Sequence, residues 1–431
     1  MKFSRKPQLL SWLPQLNSQV WILAVGRLLS DLGTGFTLFY APIFFVNKVG
    51  LSATSVGIAL GSASISGVLG RILGGSFCDS RFWGRRRTLL LSAAVSAIAS
   101  LVLATTGNFA TLVVGNLIAG LGQGLYWPAT EAVVADLTPA EHRREAYAVT
   151  RLADNLGLGM GIVFGGALIG TTGAYRALFV IDAISFVVFF GVVYVAIRET
   201  YKPVEKHRST SLQNSWATAL RDRRLLVYVL VNIIFTIYNS QLQSTLPLYL
   251  KNFVSVGNSG KGFAETTISA LFSWHLILAI LCQLPVARAL KRFSHPQALT
   301  VSALIWAVGF SLIWVTGIAP ASSLGWAILA LGVFSIATVS YTPSAASLVT
   351  DLAPESQRGV YFSISSLCWA MGYLIGPPLG GWALDQPRSV ADSFWLGLSL
   401  SVVITIAILQ YLNRMLSKNQ NQPPMNADER R

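Results

Sequence analysis

Long apolar runs separated by short polar intervals make up nearly the whole chain. A helix needs about 20 apolar residues to cross the hydrocarbon core of a bilayer, and twelve runs approach or exceed that length. They lie at roughly 20–43, 54–77, 88–106, 110–135, 146–171, 175–197, 225–249, 265–290, 297–317, 324–350, 358–384 and 393–414. The pattern predicts an all-α membrane protein with twelve transmembrane helices.

The longest polar interval, 199–224, divides these runs into two groups of six. We therefore predict an N-terminal six-helix bundle over 1–198, a linker over 199–224 and a C-terminal six-helix bundle over 225–415. The remaining segment, 416–431, is polar and contains prolines. Such a composition is typical of disorder, so we expect a disordered tail. The first residues show no compact apolar core before small residues, and we expect no cleaved signal peptide.

The composition excludes a soluble globular protein. Hydrophobic residues make up 53% of the 431 residues and charged residues 12%, with a mean hydropathy of +0.56. A soluble domain carries about 25% charged residues. Three scattered cysteines and four histidines without paired spacing predict neither a disulfide framework nor a metal site, and we expect no cofactor.

Positive charge along the chain follows membrane topology. If the N-terminus is cytoplasmic and the helices alternate, 24 of the 32 Lys and Arg residues lie in cytoplasmic segments and five in external loops. This positive-inside asymmetry predicts a multi-pass protein of the cell inner (plasma) membrane, with both termini, the linker and the tail in the cytoplasm. The net charge of +14 forms no continuous stripe. The expected partner is therefore the lipid bilayer and not a nucleic acid.

An internal repeat relates the two halves. WPATEAVVADLTPAEHR in the first half is similar to YTPSAASLVTDLAPESQR in the second, and the matched residues are always 215 positions apart. The register continues without a gap through the glycines of the next run. Two parallel six-helix halves are typical of a transporter whose binding site lies between them and is exposed to each side in turn.

The loop after the second run, GGSFCDSRFWGRRRTLLL, resembles the cytoplasmic signature of the major facilitator superfamily. The residues that carry the resemblance are Gly75, Asp79, Gly84, Arg85 and Arg86, with two extra residues between Asp79 and Gly84. With the twelve runs and the repeat, it covers nearly the whole sequence and implies the fold of that superfamily. We expect these five residues to form a conformational latch, because glycine lets helices approach and an aspartate can change hydrogen-bond partners between states. Alternatively, the arginines only fix the topology.

Two other segments resemble the drug:proton antiporter, or multidrug efflux, branch of the superfamily. GYLIGPPLGG in the eleventh run has the glycines and prolines that the branch carries in the fifth run, where this chain has Ile162 in place of the proline. The fourth run has Asn116 where the family has an arginine associated with proton coupling. If this protein couples to protons, another group must carry them. For each glycine of these segments, close packing between helices is the alternative to an antiporter motif.

Ionisable residues within the runs are costly in a membrane and are functional candidates. Arg27 and Asp31 are four apart on one helical face, so Asp31 is the first candidate for proton coupling or, alternatively, a neutralising partner of Arg27. Asp154 and His275 are further coupling candidates, although a lone histidine is more often structural. Glu131 and Arg151 are expected to join a gate network near Asp79, and Asp182 has no obvious partner.

Aromatic and amide residues provide candidates for lining a substrate cavity, which suits amphipathic small molecules. Lipid-facing positions are the alternative for the aromatic residues. The candidates are Tyr40, Tyr126, Trp127, Tyr238, Asn239, Gln243, Trp274, Tyr341 and Trp369.

The first functional hypothesis is therefore a monomeric, proton-coupled exporter of hydrophobic or amphipathic small molecules. The alternatives are a uniporter or symporter of a metabolite such as a sugar or organic acid, and a membrane sensor or assembly factor that does not transport. No nucleophile–base constellation or phosphate-binding loop is present in the sequence, so we do not expect an enzyme.

Overall fold

The computed structural model describes residues 16–139, 142–201, 212–255, 262–319, 322–354 and 357–420. Within these ranges the chain forms fourteen α-helices and no β-strand, which confirms the predicted all-α fold. The helices are α1 (Ser18–Leu38), α2 (Tyr40–Asn47), α3 (Ala53–Cys78), α4 (Gly84–Thr105), α5 (Phe109–Leu137), α6 (Arg143–Thr172), α7 (Tyr175–Ala196), α8 (Leu212–Arg221), α9 (Arg223–Asn252), α10 (Glu265–Leu290), α11 (His295–Ile318), α12 (Ser323–Leu352), α13 (Arg358–Leu384) and α14 (Arg388–Gln420).

Eleven helical segments in the described ranges are long and apolar enough to cross a membrane. One of them, Ser18–Asn47, combines α1 and α2. The remaining predicted run, 358–384, coincides with α13, whose 27 residues include Pro377 and Pro378. The chain is thus a multi-pass membrane protein. The predicted linker contains α8, and α14 extends to Gln420; residues 1–15 and 421–431, and with them most of the predicted tail, lie outside the described residues.

Polar residues in the short intervals fix where several helices begin. The side chain of Asn108 accepts a hydrogen bond of 2.9 Å from the Thr111 amide at the start of α5. Asp222 does the same for the Arg224 amide at the start of α9. These side chains satisfy amide groups that a helix leaves without intrahelical partners. Helix α6 ends before Gly173, which adopts a positive φ of 67°.

The chain forms two compact units. Unit 1 comprises residues 1–40 and 65–204, and unit 2 comprises residues 41–64 and 205–431. Helix α3 therefore contributes its first half to unit 2 and its second half to unit 1.

In unit 1, α1 packs along α6 and α7, and α4 packs along α5 and α7. Glycines bring the α1 and α6 backbones into near contact, because a Cβ atom on Gly35 would lie only 2.9 Å from the Cα atom of Gly161. A Cβ atom on Gly157 would likewise meet the Leu28 carbonyl group. The glycine series of the fifth predicted run thus serves close helix packing, which was the alternative to an antiporter motif.

In unit 2, α9 packs along α13, while α12 packs along α10 and α11. The glycines of α13 face hydroxyl groups of α9, which leaves no room for a side chain on α13. The three facing pairs are Gly372 with Thr236, Gly376 with Ser240, and Gly380 with Thr245. Close approach again accounts for the glycine series of the eleventh predicted run.

A carboxylate at the end of α13 caps the first turn of α3 within unit 2. Asp385 accepts a hydrogen bond of 2.8 Å from the amide of Ala53 at one oxygen, and one of 2.8 Å from the amide of Thr54 at the other. The Thr54 hydroxyl donates to the same carboxylate. A negative charge at a helix N-terminus also interacts favourably with the helix dipole. Asp385 thus fixes the first turn of α3 to the end of α13.

We expect Asp385→Ala to destabilise the protein by about 1–2 kcal/mol, because two amide groups of α3 lose their acceptor. Asp385→Asn is the matched comparison and should cost less, since it keeps one of the two acceptor oxygens in a side chain of the same size. The midpoint of thermal unfolding in detergent micelles measures both variants. Equal midpoints for the alanine variant and the wild type would contradict the capping role.

Candidate functional site

A buried arginine occupies the middle of α1 in unit 1. Arg27 is only 1% exposed, and its guanidinium group makes a bidentate ion pair with Asp154 of α6. The two contacts are Nε to Oδ1 at 2.7 Å and Nη2 to Oδ2 at 2.5 Å. The third nitrogen, Nη1, donates to the Thr130 hydroxyl on α5 at 3.2 Å. The fork geometry matches a carboxylate and makes this a strong, oriented pair.

Two aromatic rings of α5 complete the surroundings of Arg27. The guanidinium carbon lies 5.7 Å from the centre of the Tyr126 ring and 5.8 Å from that of Trp127. At these distances the ring faces attract a cation. The arginine is therefore held by one carboxylate, one hydroxyl and two aromatic faces.

The direct partner of Arg27 in this structure is Asp154, while Asp31 interacts with the guanidinium electrostatically. Spacing along α1 places the two residues on one face, but the guanidinium is taken by Asp154 instead. The physical reason is the glycine-mediated approach of α6 to α1, which brings a carboxylate with both oxygens in the plane of the guanidinium. A residue four positions away on the same helix does not form the bidentate contact here.

Asp31 hydrogen-bonds to Asp154, carboxyl group to carboxyl group. Two carboxyl groups can share a hydrogen bond only when one of them carries a proton. The structure therefore brings together three predicted residues, Arg27, Asp31 and Asp154, in an arrangement that contains a place for one proton. We call these three residues, with Thr130, the acid–arginine cluster. Sequence reasoning missed Thr130, whose only signal is its position four residues after Tyr126 on the same helical face.

The latch residues form a different network from the predicted one. Arg85 at the start of α4 pairs at 2.9 Å with Asp136 at the end of α5, whereas Asp79 lies 4.0 Å from Arg85. The Asp79 side chain is 80% exposed. Asp136, the aspartate of the repeated segment, thus takes the role expected of Asp79. The reason is that Asp136 reaches Arg85 from a neighbouring helix end, while Asp79 points to solvent from a turn.

Glu199 is a further latch partner that the sequence did not indicate. Its carboxylate accepts hydrogen bonds from the Arg85 amide at 2.9 Å and the Arg86 amide at 3.1 Å, which caps α4. Gly84 has a positive φ of 67°, and a side chain there would collide with Glu199. The backbone conformation at this position therefore requires glycine, and a side chain there would also displace the Glu199 carboxylate from the start of α4. The Arg86 guanidinium also donates to the Tyr194 carbonyl oxygen at 2.6 Å.

Gly75 is not the glycine that allows close packing. Nothing lies within 4 Å of a Cβ atom built on it. The close contacts of α3 with α5 occur at Gly70 and Gly74, where a Cβ atom would lie 3.0 Å from the Cα atoms of Gly124 and Leu125 respectively. The motif predicted close packing at a glycine of this segment, and the glycines that pack closely are Gly70 and Gly74.

The two residues expected to join a gate network are ion-paired in unit 1, and their role in gating stays a prediction. Arg151 of α6 forms an ion pair of 2.9 Å with Glu131 of α5, and both side chains are about half exposed. The Arg151 guanidinium also lies 4.7 Å from the centre of the Trp127 ring. Trp127 therefore stands next to both arginines, Arg27 and Arg151.

His275 lies in unit 2, on α10, and contacts α12. Its Nδ1 atom is 3.2 Å from the Leu331 carbonyl oxygen and 3.0 Å from the Ser335 hydroxyl oxygen. A carbonyl acceptor requires Nδ1 to carry a hydrogen, so this nitrogen of the imidazole is taken up by a contact with the α12 backbone. This environment favours the structural alternative for His275 over proton coupling.

Most of the predicted cavity residues of unit 2 are engaged in helix packing. The Tyr238 hydroxyl lies 2.7 Å from that of Ser401, and the Asn239 amide donates to the Phe235 carbonyl oxygen of its own helix. Gln243 accepts a hydrogen bond of 2.6 Å from the Tyr373 hydroxyl. By contrast, Trp274 and Trp369 are 40% and 36% exposed. These two indoles are the candidates that remain accessible in this unit.

Residues related by the repeat have a different electrostatic character in each unit. In unit 1, Tyr126 lies over the buried charge of Arg27. In unit 2 its equivalent, Tyr341, donates a hydrogen bond to the side chain of Asn232, which also contacts Ser365. The tyrosine of the repeat therefore lies beside a buried charge in unit 1 and within a neutral polar cluster in unit 2. Tyr40, the remaining candidate, is fully buried in unit 1, with its hydroxyl donating to the Ile162 carbonyl oxygen at 2.9 Å.

Comparison with known families gives a match over nearly the whole chain. The family model described as Major Facilitator Superfamily matches residues 23–257 and 255–430. A Planococcus maritimus protein named Na(+), Li(+), K(+)/H(+) antiporter is 26% identical over 397 residues, which cover 85% of this chain and 90% of that protein. Multidrug resistance protein MdtH of Klebsiella pneumoniae is 25% identical over 408 residues, covering 90% and 92%.

Solved structures show the same fold. The crystal structure of the nucleoside transporter NupG gives a TM-score of 0.78 at 14% identity, covering 92% of this chain and 99% of that one. The peptide transporter POT in complex with sulfate gives a TM-score of 0.77 at 15% identity, covering 95% and 98%. At these identities the likeness concerns the fold and carries no substrate.

Proposed function

This chain belongs to the Major Facilitator Superfamily and is a secondary transporter, and from that premise we propose that it exports hydrophobic or amphipathic small molecules in exchange for protons. In this proposal the protein lies in the plasma membrane with both termini in the cytoplasm, and the two halves expose the substrate site alternately.

The acid–arginine cluster is the observation that supports proton coupling. Asp31 is hydrogen-bonded to Asp154, and Asp154 also pairs with Arg27. One proton can therefore bind to the two carboxyl groups and be released again while the guanidinium keeps its carboxylate partner. An ionisable group in a membrane protein's interior is expected to serve transport or proton transfer. The cluster also supplies the group that was missing because Asn116 stands in place of the family's arginine.

Accessible aromatic side chains support an amphipathic substrate. Trp274 and Trp369 in unit 2 are partly exposed, and Trp127 in unit 1 lies beside two arginines. Such surfaces suit apolar molecules with few polar groups. The similarity to Multidrug resistance protein MdtH agrees with this substrate class.

Transport by purified protein in proteoliposomes tests the proposal. We expect an imposed pH gradient to drive accumulation of lipophilic cations or neutral drugs from a broad panel, with protein-free liposomes as the control. Accumulation of sugars or organic acids alone would favour the metabolite alternative. If no gradient moves any lipophilic compound of the panel, the exporter proposal is wrong.

A second candidate function is exchange of a monovalent cation for protons. It is favoured by the similarity to the protein named Na(+), Li(+), K(+)/H(+) antiporter and by an excess of buried carboxyl groups over arginine in unit 1. The same proteoliposomes separate the two functions, because added Na⁺, Li⁺ or K⁺ would then dissipate the pH gradient. A lipophilic compound would do so under the first proposal.

A further inference from the structure

A second buried carboxyl group lies in unit 1, on α7. Asp182 is 6% exposed, and α7 packs against α1 and α4. Its Oδ2 atom lies 2.7 Å from the hydroxyl oxygen of Ser100 on α4. Its Oδ1 atom faces Gly33 of α1 and has no hydrogen-bond partner among the described residues. Nor does any basic side chain in the described part of the chain form an ion pair with it.

An ionised carboxylate at this position would find few donors, although it has about four lone-pair sites. The Ser185 hydroxyl lies 2.7 Å from the Asp182 carbonyl oxygen and 3.4 Å from that of Ser30, so its hydrogen goes to the backbone. The Ser100 hydroxyl remains, and it also lies 3.2 Å from the Ser96 carbonyl oxygen. If Asp182 carries a proton on Oδ2, it donates a hydrogen bond to the Ser100 hydroxyl oxygen, and the Ser100 hydroxyl donates to the Ser96 carbonyl oxygen. Both hydrogens then have an acceptor.

The charges inside unit 1 point to the same protonation state. Asp31 interacts electrostatically with both Asp154 and Asp182, and Arg27 is the basic group held by this interior. From α4 the group in contact with Asp182 is the Ser100 hydroxyl, which carries no charge. One guanidinium against three carboxyl groups leaves two negative charges, and an unbalanced charge is strongly disfavoured in a low-dielectric interior. Neutrality therefore requires two protons.

We propose that Asp182 binds the second of these protons, so that unit 1 has two proton-binding sites of different kinds. The proton of the Asp31–Asp154 pair is exchangeable. The proton of Asp182 is retained, because its hydrogen-bond chain ends at the Ser96 carbonyl group, which cannot pass a proton on. Exchange at the first site rests on the proposed function, whereas protonation of Asp182 does not.

Infrared spectroscopy of the full-length protein in lipid bilayers tests this inference. A protonated carboxylic acid has a carbonyl band apart from the bands of carboxylates and of the backbone. We expect Asp182→Asn to remove one such band and Asp31→Asn to remove another. Ser100→Ala should shift the Asp182 band to the position of an acid without a hydrogen-bond acceptor, which covers the case in which the asparagine variant does not fold.

A pH titration then separates the two sites. We expect the band assigned to Asp31 to disappear as the pH rises through the range of active transport, while the Asp182 band stays constant. A spectrum unchanged by both Asp182→Asn and Ser100→Ala would show that Asp182 is ionised and overturn the proposal. Loss of the Asp182 band within the same titration would overturn retention of its proton. These measurements need no substrate, so failure of the transport assay leaves their outcome intact.

Discussion

Replacement of Asp31 by asparagine is expected to abolish accumulation of substrate against its gradient while exchange of substrate across the membrane continues. The carboxamide has the size of a carboxylic acid and can donate to Asp154 as the protonated acid does. It cannot release a proton, however. The variant therefore resembles the proton-loaded transporter in shape but carries no proton from one side to the other.

The size of this effect follows from the driving force. A gradient of one pH unit supplies about 1.4 kcal/mol per proton, which supports about a tenfold ratio of substrate concentrations for each proton exchanged. In proteoliposomes with that gradient, the ratio for the Asp31→Asn variant should fall to about one, while counterflow of labelled substrate persists. The matched control is Glu145→Gln on α6, whose carboxylate is 53% exposed and lies 3.5 Å from His142. A wild-type ratio in the Asp31→Asn variant would refute coupling at this residue.

Replacement of Asp154 by alanine is expected to destabilise the protein by about 3–5 kcal/mol, because it removes the bidentate partner of the buried Arg27 guanidinium and leaves it only the electrostatic interaction with Asp31. Arg27 is 1% exposed, and one hydroxyl and two ring faces would be its remaining contacts. Unfolding of the purified protein by denaturant in mixed micelles measures the loss. Transport should be lost as well, because the proton of the Asp31–Asp154 pair would no longer be shared between two carboxyl groups.

Two comparisons separate charge burial from other causes of instability. Arg151→Ala breaks an ion pair of 2.9 Å that is half exposed, and such pairs contribute about 0–1 kcal/mol. A double variant, Arg27→Met with Asp154→Leu, removes both charges and should recover most of the stability but not the transport. The burial argument fails if Asp154→Ala costs no more than Arg151→Ala.

The helical architecture was predictable because a bilayer leaves few choices. Backbone groups in hydrocarbon must be satisfied within the segment, so runs such as 175–197 can form only helices when they stand outside a closed barrel. The repeat of Tyr126 and Tyr341 at a constant spacing likewise indicated two related halves from the residues alone. The ends of most helices lie within a few residues of the apolar runs, whereas α14 begins five residues before the run 393–414 and ends six residues after it.

The partners within the site were less predictable because they depend on how deeply helices interpenetrate. The sequence placed Asp31 beside Arg27. Because α1 and α6 come into close contact at Gly35 and Gly161, the arginine forms its ion pair with Asp154 instead. Similarly, the motif identified Asp79 as the latch carboxylate. Asp79 lies in an exposed turn, however, and Arg85 forms its ion pair with Asp136 instead. Residue type indicated which groups carry chemistry; the pairing required the relative rotation of the helices, which local sequence does not encode.

Tyr341 of unit 2 contacts the neutral side chain of Asn232, whereas its repeat equivalent in unit 1, Tyr126, lies beside the Arg27 guanidinium. If unit 1 carries the proposed proton coupling, a duplicated protein with this asymmetry can alter unit 2 without disturbing that coupling. Variants selected for a changed range of compounds should therefore accumulate between residues 223 and 420. Variants selected for growth at altered external acidity should instead fall between residues 18 and 196, a segregation that laboratory evolution would make visible.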